Sequence, residues 1–175
     1  ETGGKILLSG KSGLTESNEF FRDFGVIFCG ENPIDDTYLI PTYDMQPNGK
    51  AAYLMYAHGY NISADEGVKI FAHMQNSYFN RSLRHFCSHS TTPNDPSSQG
   101  VGALVSENIA YIAWDIFTEY GMNGAYQHKR IVCDILDYLL EDKKTLETNL
   151  GSNGIVTLME QKNESRYVNR LLYAV

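Results

Sequence analysis

Basic residues are scarce in this chain. Lys and Arg total 14 against 21 Asp and Glu, which leaves a net charge of −7 over 175 residues. That excludes a general binder of nucleic acid or of anionic membrane, since both need a net or local basic surface. Long apolar runs are missing too: none approaches the ~18–20 residues of a membrane-spanning helix. The opening Glu1-Thr2-Gly3-Gly4 lacks a basic region followed by an apolar one, so it does not read as a signal peptide. Cysteine is sparse. Cys29, Cys87 and Cys133 are too few and too scattered for a disulfide framework, and they fit a reducing compartment. There are no internal repeats and no low-complexity segments. Three sequons, at Asn61, Asn80 and Asn163, are of a kind that arises by chance.

What remains is enough for a core. Hydrophobic residues make up 42%, and a chain of this size buries roughly 70% of its unfolded surface without a metal or disulfide staple. Aromatics are plentiful, with 12 Tyr, 8 Phe and 1 Trp. Tyrosine serves cores, but it also serves interfaces and sugar platforms.

Lys5-Ile6-Leu7-Leu8-Ser9, bounded by Gly4 and Gly10, reads as a buried parallel strand with neighbours on both sides. Thr15 or Ser17 can cap a short helix that carries Phe20, Phe21 and Phe24 on one face and ends at Gly25. Val26–Gly30 is a second apolar run. Residues 31–52 are loop-rich, with a brief pairing at Tyr38-Leu39-Ile40. Strands are expected at Tyr53–Ala57 and Val68–Met74. Ser90–Gly100 is a surface loop. Val101–Val105 and Ile109–Ala113 form a hairpin around Ser106-Glu107-Asn108. The strongest helix is Ala125–Leu140, where Ile131, Val132, Ile135, Leu136, Leu139 and Leu140 form a broad apolar stripe. Ile155–Gln161 and Arg166–Val175 make a second hairpin.

The densest chemistry lies between Tyr78 and Pro93. In an extended chain His85, Cys87 and His89 would share one face. A zinc set built on them lacks a fourth ligand. A Cys87–His nucleophile pair needs a geometry that residues two apart seldom reach. Two readings stay open. In one, Arg81, His85 and His89 satisfy backbone groups of the loop beyond. In the other, imidazole and guanidinium beside Tyr78 recognise hydroxyls or a carboxylate. Gly10-Lys11-Ser12 is not a phosphate loop, because the required first Gly is absent at position 5. Asp35-Asp36 reads as turn chemistry, and Asp115, after Trp114, as a helix N-cap.

Three segments carry a resemblance: Gly3–Ser9, the block Tyr78-Phe79-Asn80-Arg81 to His85-Phe86-Cys87-Ser88-His89 to Pro93, and the strand–helix unit from Ile109 to Leu140. Together they resemble the beta-galactosidase trimerisation domain. That domain is glutamine-amidotransferase-like and flavodoxin-like, and it follows the catalytic barrel in family 42 beta-galactosidases and related bacterial glycoside hydrolases. The middle block is similar to that of a branch that includes alpha-L-fucosidase-like enzymes. The resemblance implies an α/β three-layer sandwich over residues 1–142, without its first strand-helix-strand. Residues 143–175 would then be a linker and the first hairpin of a C-terminal β domain. The turn Ser9-Gly10-Lys11-Ser12 stands where an amidotransferase carries its nucleophilic Cys, so that activity is not expected. The resemblance leads one to expect a further His or other polar residue near Thr91, and its replacement weakens any catalytic carry-over there.

The expectation is therefore a non-catalytic accessory and oligomerisation domain of a bacterial glycoside hydrolase. Its site candidates are Tyr78, Asn80, Arg81, His85 and His89, which would help complete the sugar-binding pocket of its own or a neighbouring barrel. No catalytic residue, metal or cofactor is assigned. The partners implied are the parent's barrel, further copies of the chain and, through the parent, a carbohydrate. The location implied is the bacterial cytoplasm or periplasm, with the unpaired cysteines favouring the cytoplasm. Rival readings are a stand-alone carbohydrate-binding module, with Tyr and Trp114 as platform, and a hydrolase using Cys87. A chain that starts at an inner strand and stops within a hairpin would also expose a sheet edge and self-associate.

Overall fold

The computed structural model describes residues 3–141, 143–151 and 153–173. The chain divides into two compact units, Glu1–Leu139 and Leu140–Val175.

The first unit is built on a curled six-stranded sheet, a half-barrel rather than an open sheet. Its strands are β1 (Ile6–Ser9), β3 (Thr37–Pro41), β4 (Tyr53–Met55), β6 (Lys69–Asn76), β7 (Gly100–Ser106) and β8 (Ile109–Ile112), in the order β1-β8-β7-β6-β3-β4. Two further strands, β2 (Val26–Glu31) and β5 (Tyr60–Ala64), pair with each other. Helices α1 (Ile116–Asn123) and α2 (Tyr126–Leu140) follow β8 directly.

This corrects the α/β expectation. A flavodoxin-like sheet is parallel, with a crossover helix between successive strands. Here β1 and β8 alone run parallel within the main sheet, and every other neighbour in it is antiparallel. The described residues offer two α-helices, consecutive in sequence, so no helices alternate with strands to cover two faces. The three-layer sandwich is not formed. The Lys5–Ser9 run does pair in parallel, but as an edge strand: β8 is its sheet neighbour, and Ile6 is exposed. Phe20, Phe21 and Phe24 lie in irregular chain, not on a helix. Phe20 makes edge-to-face contacts with Phe24 and Tyr111, at 5.0 and 5.1 Å between ring centroids. Tertiary aromatic packing therefore sets this segment. Tyr38-Leu39-Ile40 is no marginal pairing. It belongs to β3, which lies between β6 and β4, and Leu39 is fully buried.

Trp114 sits at the centre of the core, wholly buried, and its indole N–H donates to Thr37 Oγ1 at 2.8 Å. Gly102 on β7 makes room for it: a Cβ there would lie 2.6 Å from the Trp114 ring. A bulge interrupts the β6–β7 ladder. Ile70 pairs with Leu104 and Ala72 with Ala103, which leaves Phe71 without an opposite residue. Bulges re-aim side chains. Phe71 is buried against Tyr43 and Tyr138, with centroids at 6.0 and 5.3 Å. Helix α2 buries His128, Ile131, Ile135 and Leu139, the 3–4 spacing that its sequence announces.

The second unit contains a regular antiparallel hairpin. Strand β9 (Gly154–Gln161) pairs with β10 (Arg166–Tyr173) from Gln161↔Arg166 to Gly154↔Tyr173. A single 3-10 turn over Lys162–Glu164 joins them, and Ser165 closes it in the left-handed region at φ 48. Ile155, Met159, Leu171 and Leu172 are exposed on the ribbon, as a two-stranded sheet has no second layer to bury them.

Candidate functional site

Residues 78–93 leave the sheet after β6 and return before β7. The neck of this excursion is tied. Tyr78 N–H donates to Pro93 O at 3.2 Å, Asn94 Nδ2 to Gln75 Oε1 at 2.6 Å, and Tyr38 OH to Thr92 O at 2.7 Å. Closed ends and side-chain bracing are the marks of an Ω-loop, which displays residues on a fixed base.

The structure distributes the sequence candidates over this loop in two roles. Asn80 is a brace: its Oδ1 accepts from Asp35 N–H at 2.8 Å, and its Nδ2 donates to Pro33 O at 2.8 Å. Arg81 is another brace, donating to Ser90 O at 2.8 Å across the loop. Ser82 closes the tip, where its N–H donates to His85 O at 2.8 Å and its Oγ accepts from His85 N–H at 3.1 Å. Tyr78, His85 and His89 are displayed instead. All three are exposed, and the His85 ring lies 6.2 Å from Phe79. Arg81, Ser82, Leu83 and Phe86 line a cleft of about 380 Å³. Leu83 is 100% exposed and Phe86 70% exposed.

The extended geometry that would place His85, Cys87 and His89 on one face is not adopted; this stretch is bends, not strand. Cys87 Sγ is shared between His89 O and Thr91 O, both at 3.4 Å, so its hydrogen bonds go to backbone carbonyls rather than to an imidazole. Among the described residues, no group of three or more His, Cys, Asp and Glu side chains converges as a metal site.

A second polar cluster forms where β1 and β8 end. The turn after β1 is closed by Ser12, whose Oγ accepts from Ser9 N–H at 2.8 Å and donates to Ser9 O at 2.6 Å. Gly10 is left-handed there at φ +56, and Asp115 Oδ1 stands 1.8 Å from where its Cβ would be. Asp115 occupies the N-cap position of α1 but makes no side-chain capping bond. Its Oδ2 instead accepts from Tyr60 OH at 3.1 Å. Burial, reinforced by that carboxylate, pushes the Tyr60 phenol up to about 12. Lys11 Nζ lies 2.6 Å from Glu31 Oε1 and 5.7 Å from the Tyr60 ring centroid. The hydrogen bond and charge of Lys11 hold Glu31 below the usual carboxylate range. His58 Nε2 lies 3.9 Å from the other Glu31 oxygen.

This cluster offers donors, acceptors and one aromatic face, and the Ser12 hydroxyl is committed to the Ser9 backbone. Sequence reasoning sees its Asp115 only as a cap. Glu31, His58 and Tyr60 are brought together by the long-range β2–β5 pairing, for which sequence spacing gives no signal.

A third polar feature is internal. Glu119 and His128 are buried, with His128 Nδ1 3.9 Å from Glu119 Oε1. Glu119 Oε1 also accepts from Tyr56 N–H at 2.9 Å, anchoring the segment after β4 to α1. Burial lowers the His128 pKa, against the opposing pull of Glu119.

No family model matches the chain, and no curated protein matches it. Among solved structures it is similar to alpha-L-fucosidase isoenzyme 2 from Paenibacillus thiaminolyticus. The identity is 37% and the TM-score 0.93. The match covers 99% of this chain and 26% of that one, so the chain spans about a quarter of the length of the structure it matches. The relation is thus to a glycoside hydrolase, and the chain corresponds to one segment of it. The relation does not extend to the beta-galactosidase trimerisation domain in particular, and the amidotransferase-like and flavodoxin-like terms fall with the α/β sandwich.

Proposed function

We propose that the chain is a non-catalytic accessory domain of a bacterial glycoside hydrolase. In this reading it takes part in oligomer assembly, and its 78–93 loop helps complete the sugar-binding site of its own or a neighbouring catalytic barrel. The observation that carries the reading is the loop itself. Its neck and interior are braced through Tyr38, Asn80 and Arg81, yet the same loop that carries His85 and His89 holds Leu83 and Phe86 in solvent. Exposed apolar side chains close together on a braced loop suit a surface that another protein covers. The apolar pair suits a contact with another protein surface. The imidazoles suit hydrogen bonds to sugar hydroxyls, since a neutral ring both donates and accepts. The match to a segment of a fucosidase supplies the context of a longer polypeptide with a catalytic centre.

The test is made in the full-length parent. His85→Ala and His89→Ala should lower kcat/KM while the mass by sedimentation stays the same. Leu83→Asp should shift the mass or the domain packing. Unchanged kinetics and unchanged assembly in all three variants would remove the loop from both roles.

A further inference from the structure

A cleft unrelated to the loop lies where the β6 bulge meets α2. Its volume is about 410 Å³, within the range of pockets that take small molecules. The bulge builds it. Phe71, unpaired in the ladder, forms an aromatic floor with Tyr43 and Tyr138. Thr42 pins the neighbouring segment to the bulge: its N–H donates to Phe71 O at 2.9 Å and its Oγ1 to Ile70 O at 2.9 Å.

The polar groups are fixed before any ligand arrives. Asp134, little exposed, accepts from Tyr43 OH at 2.6 Å and from Arg130 Nε at 3.1 Å. Its other oxygen lies 2.6 Å from Arg130 Nη2. Burial, then the Asp134 contact, raises the Tyr43 phenol far above its ordinary value, so it stays a neutral donor. Gln46 Nε2 donates to Asp44 Oδ2 at 2.7 Å, which leaves its carbonyl oxygen to accept. Lys69 Nζ sits 3.8 Å from the Tyr138 ring centroid and forms no salt bridge among the described residues, so its N–H donors are not committed to a carboxylate.

We propose that this cleft is a saccharide-binding site for a neutral sugar. The charged lining residues cancel: Lys69 and Arg130 against Asp44 and Asp134. An anion would meet two carboxylates there and a cation two basic groups, whereas a neutral polyhydroxylated ring can use both signs as donors and acceptors. Tyr138, 45% exposed, supplies apolar contact and shares its ring with the Lys69 ammonium, while Phe71 is buried behind it. Lys69 and Tyr138 also line an adjoining cleft of about 600 Å³, which gives a longer saccharide room to extend. The proposal is independent of the loop's role, since the cleft shares no residue with residues 78–93.

The probes are methyl glycosides of neutral hexoses, with a hexuronic acid and an amino sugar as charged comparators. They are titrated into the isotopically labelled 175-residue chain and followed by backbone amide NMR. The expected result is saturable, millimolar-range shifts confined to residues 42–46, 69–71 and 130–138, for at least one neutral sugar. Tyr138→Ala should weaken binding about tenfold or more. Arg130→Gln should do the same, while retained spectral dispersion shows that each variant is folded. The proposal is overturned if no neutral sugar gives saturable shifts in the cleft, if a charged comparator alone does, or if folded Tyr138→Ala binds as the parent chain does. Shifts confined to the 78–93 loop would overturn it while leaving the loop's own role intact.

Discussion

Replacing Gly102 by Ala adds one methyl group at the most crowded point of the core. The new Cβ would lie 2.6 and 2.8 Å from two carbons of the Trp114 ring and 3.0 Å from the backbone carbon of His73. The His73 backbone belongs to the paired β6 ladder and cannot retreat. Trp114 is fully buried and tethered through its N–H to Thr37 Oγ1, so its ring yields only by breaking that bond. Overpacking costs about 1–3 kcal/mol. A lost buried hydrogen bond adds about 1 kcal/mol, more if both partners are left unsatisfied. A total of about 3 kcal/mol corresponds to a fall in Tm of about 10 °C for a domain of this size. The chain has a single tryptophan, so fluorescence excited at the red edge reports on this contact alone. The assay is thermal unfolding followed by that signal and by circular dichroism. Gly100→Ala, whose Cβ would meet Met74 at an ordinary 3.8–3.9 Å, serves as control and should shift Tm little. Trp114→Phe should cost less in the Gly102→Ala background than alone, because the clash is relieved. A Gly102→Ala protein with unchanged Tm and unchanged tryptophan emission would refute the reasoning.

Two further outcomes follow from the same structure. Gly10→Ala should destabilise by about 1–2 kcal/mol from its left-handed φ alone and by more from the collision with Asp115; Asp115→Ala should remove the second part and leave the first, as read by urea unfolding. His128 has a lowered pKa in the folded chain, so below its unfolded value near 6.5 the unfolded state binds more protons; stability should fall with acidification from about pH 6.5 downward, by at most about 1.4 kcal/mol per pH unit, and His128→Phe should flatten that slope in unfolding measured across pH.

How far the sequence could be read depended on whether the signal was local. The hairpins were legible: Ser106-Glu107-Asn108 and the polar turn after Gln161 mark the β7–β8 and β9–β10 connections. Helix α2 was legible within a residue, because six apolar positions repeat at helical spacing. The fold class was not. An apolar run such as Lys5–Ser9 does pair in parallel, but whether its sheet is parallel throughout depends on the other strands' partners. The internal place of β3, between β6 and the edge strand β4, was hidden by the prolines near it. Pro33 lies in the irregular chain before the strand and Pro41 is its last residue, while Thr37, Tyr38 and Leu39 carry its burial. The 78–93 block stands out in the sequence by its density of polar and aromatic residues. Its division into braces (Asn80, Arg81) and displayed groups (Tyr78, His85, His89) depends on carbonyls at Pro33 and Ser90 that no spacing rule connects. The Glu31–His58–Tyr60–Asp115 cluster joins residues far apart in the chain and had no sequence signature; in the Tyr43–Asp134–Arg130 triad the Arg130–Asp134 pair is local, four apart on α2, and the approach of Tyr43 is the part without a signal.

The central proposal is that the 78–93 loop is covered within a longer polypeptide or its oligomer and reaches a sugar site there. A structure of the full-length polypeptide, in its native oligomer and with a sugar-like inhibitor bound, tests this most directly. Leu83 and Phe86 should be buried against another domain or subunit, with His85 or His89 within hydrogen-bond distance of the inhibitor. A loop that stands free in solvent in every protomer, with the inhibitor bound elsewhere, would contradict it.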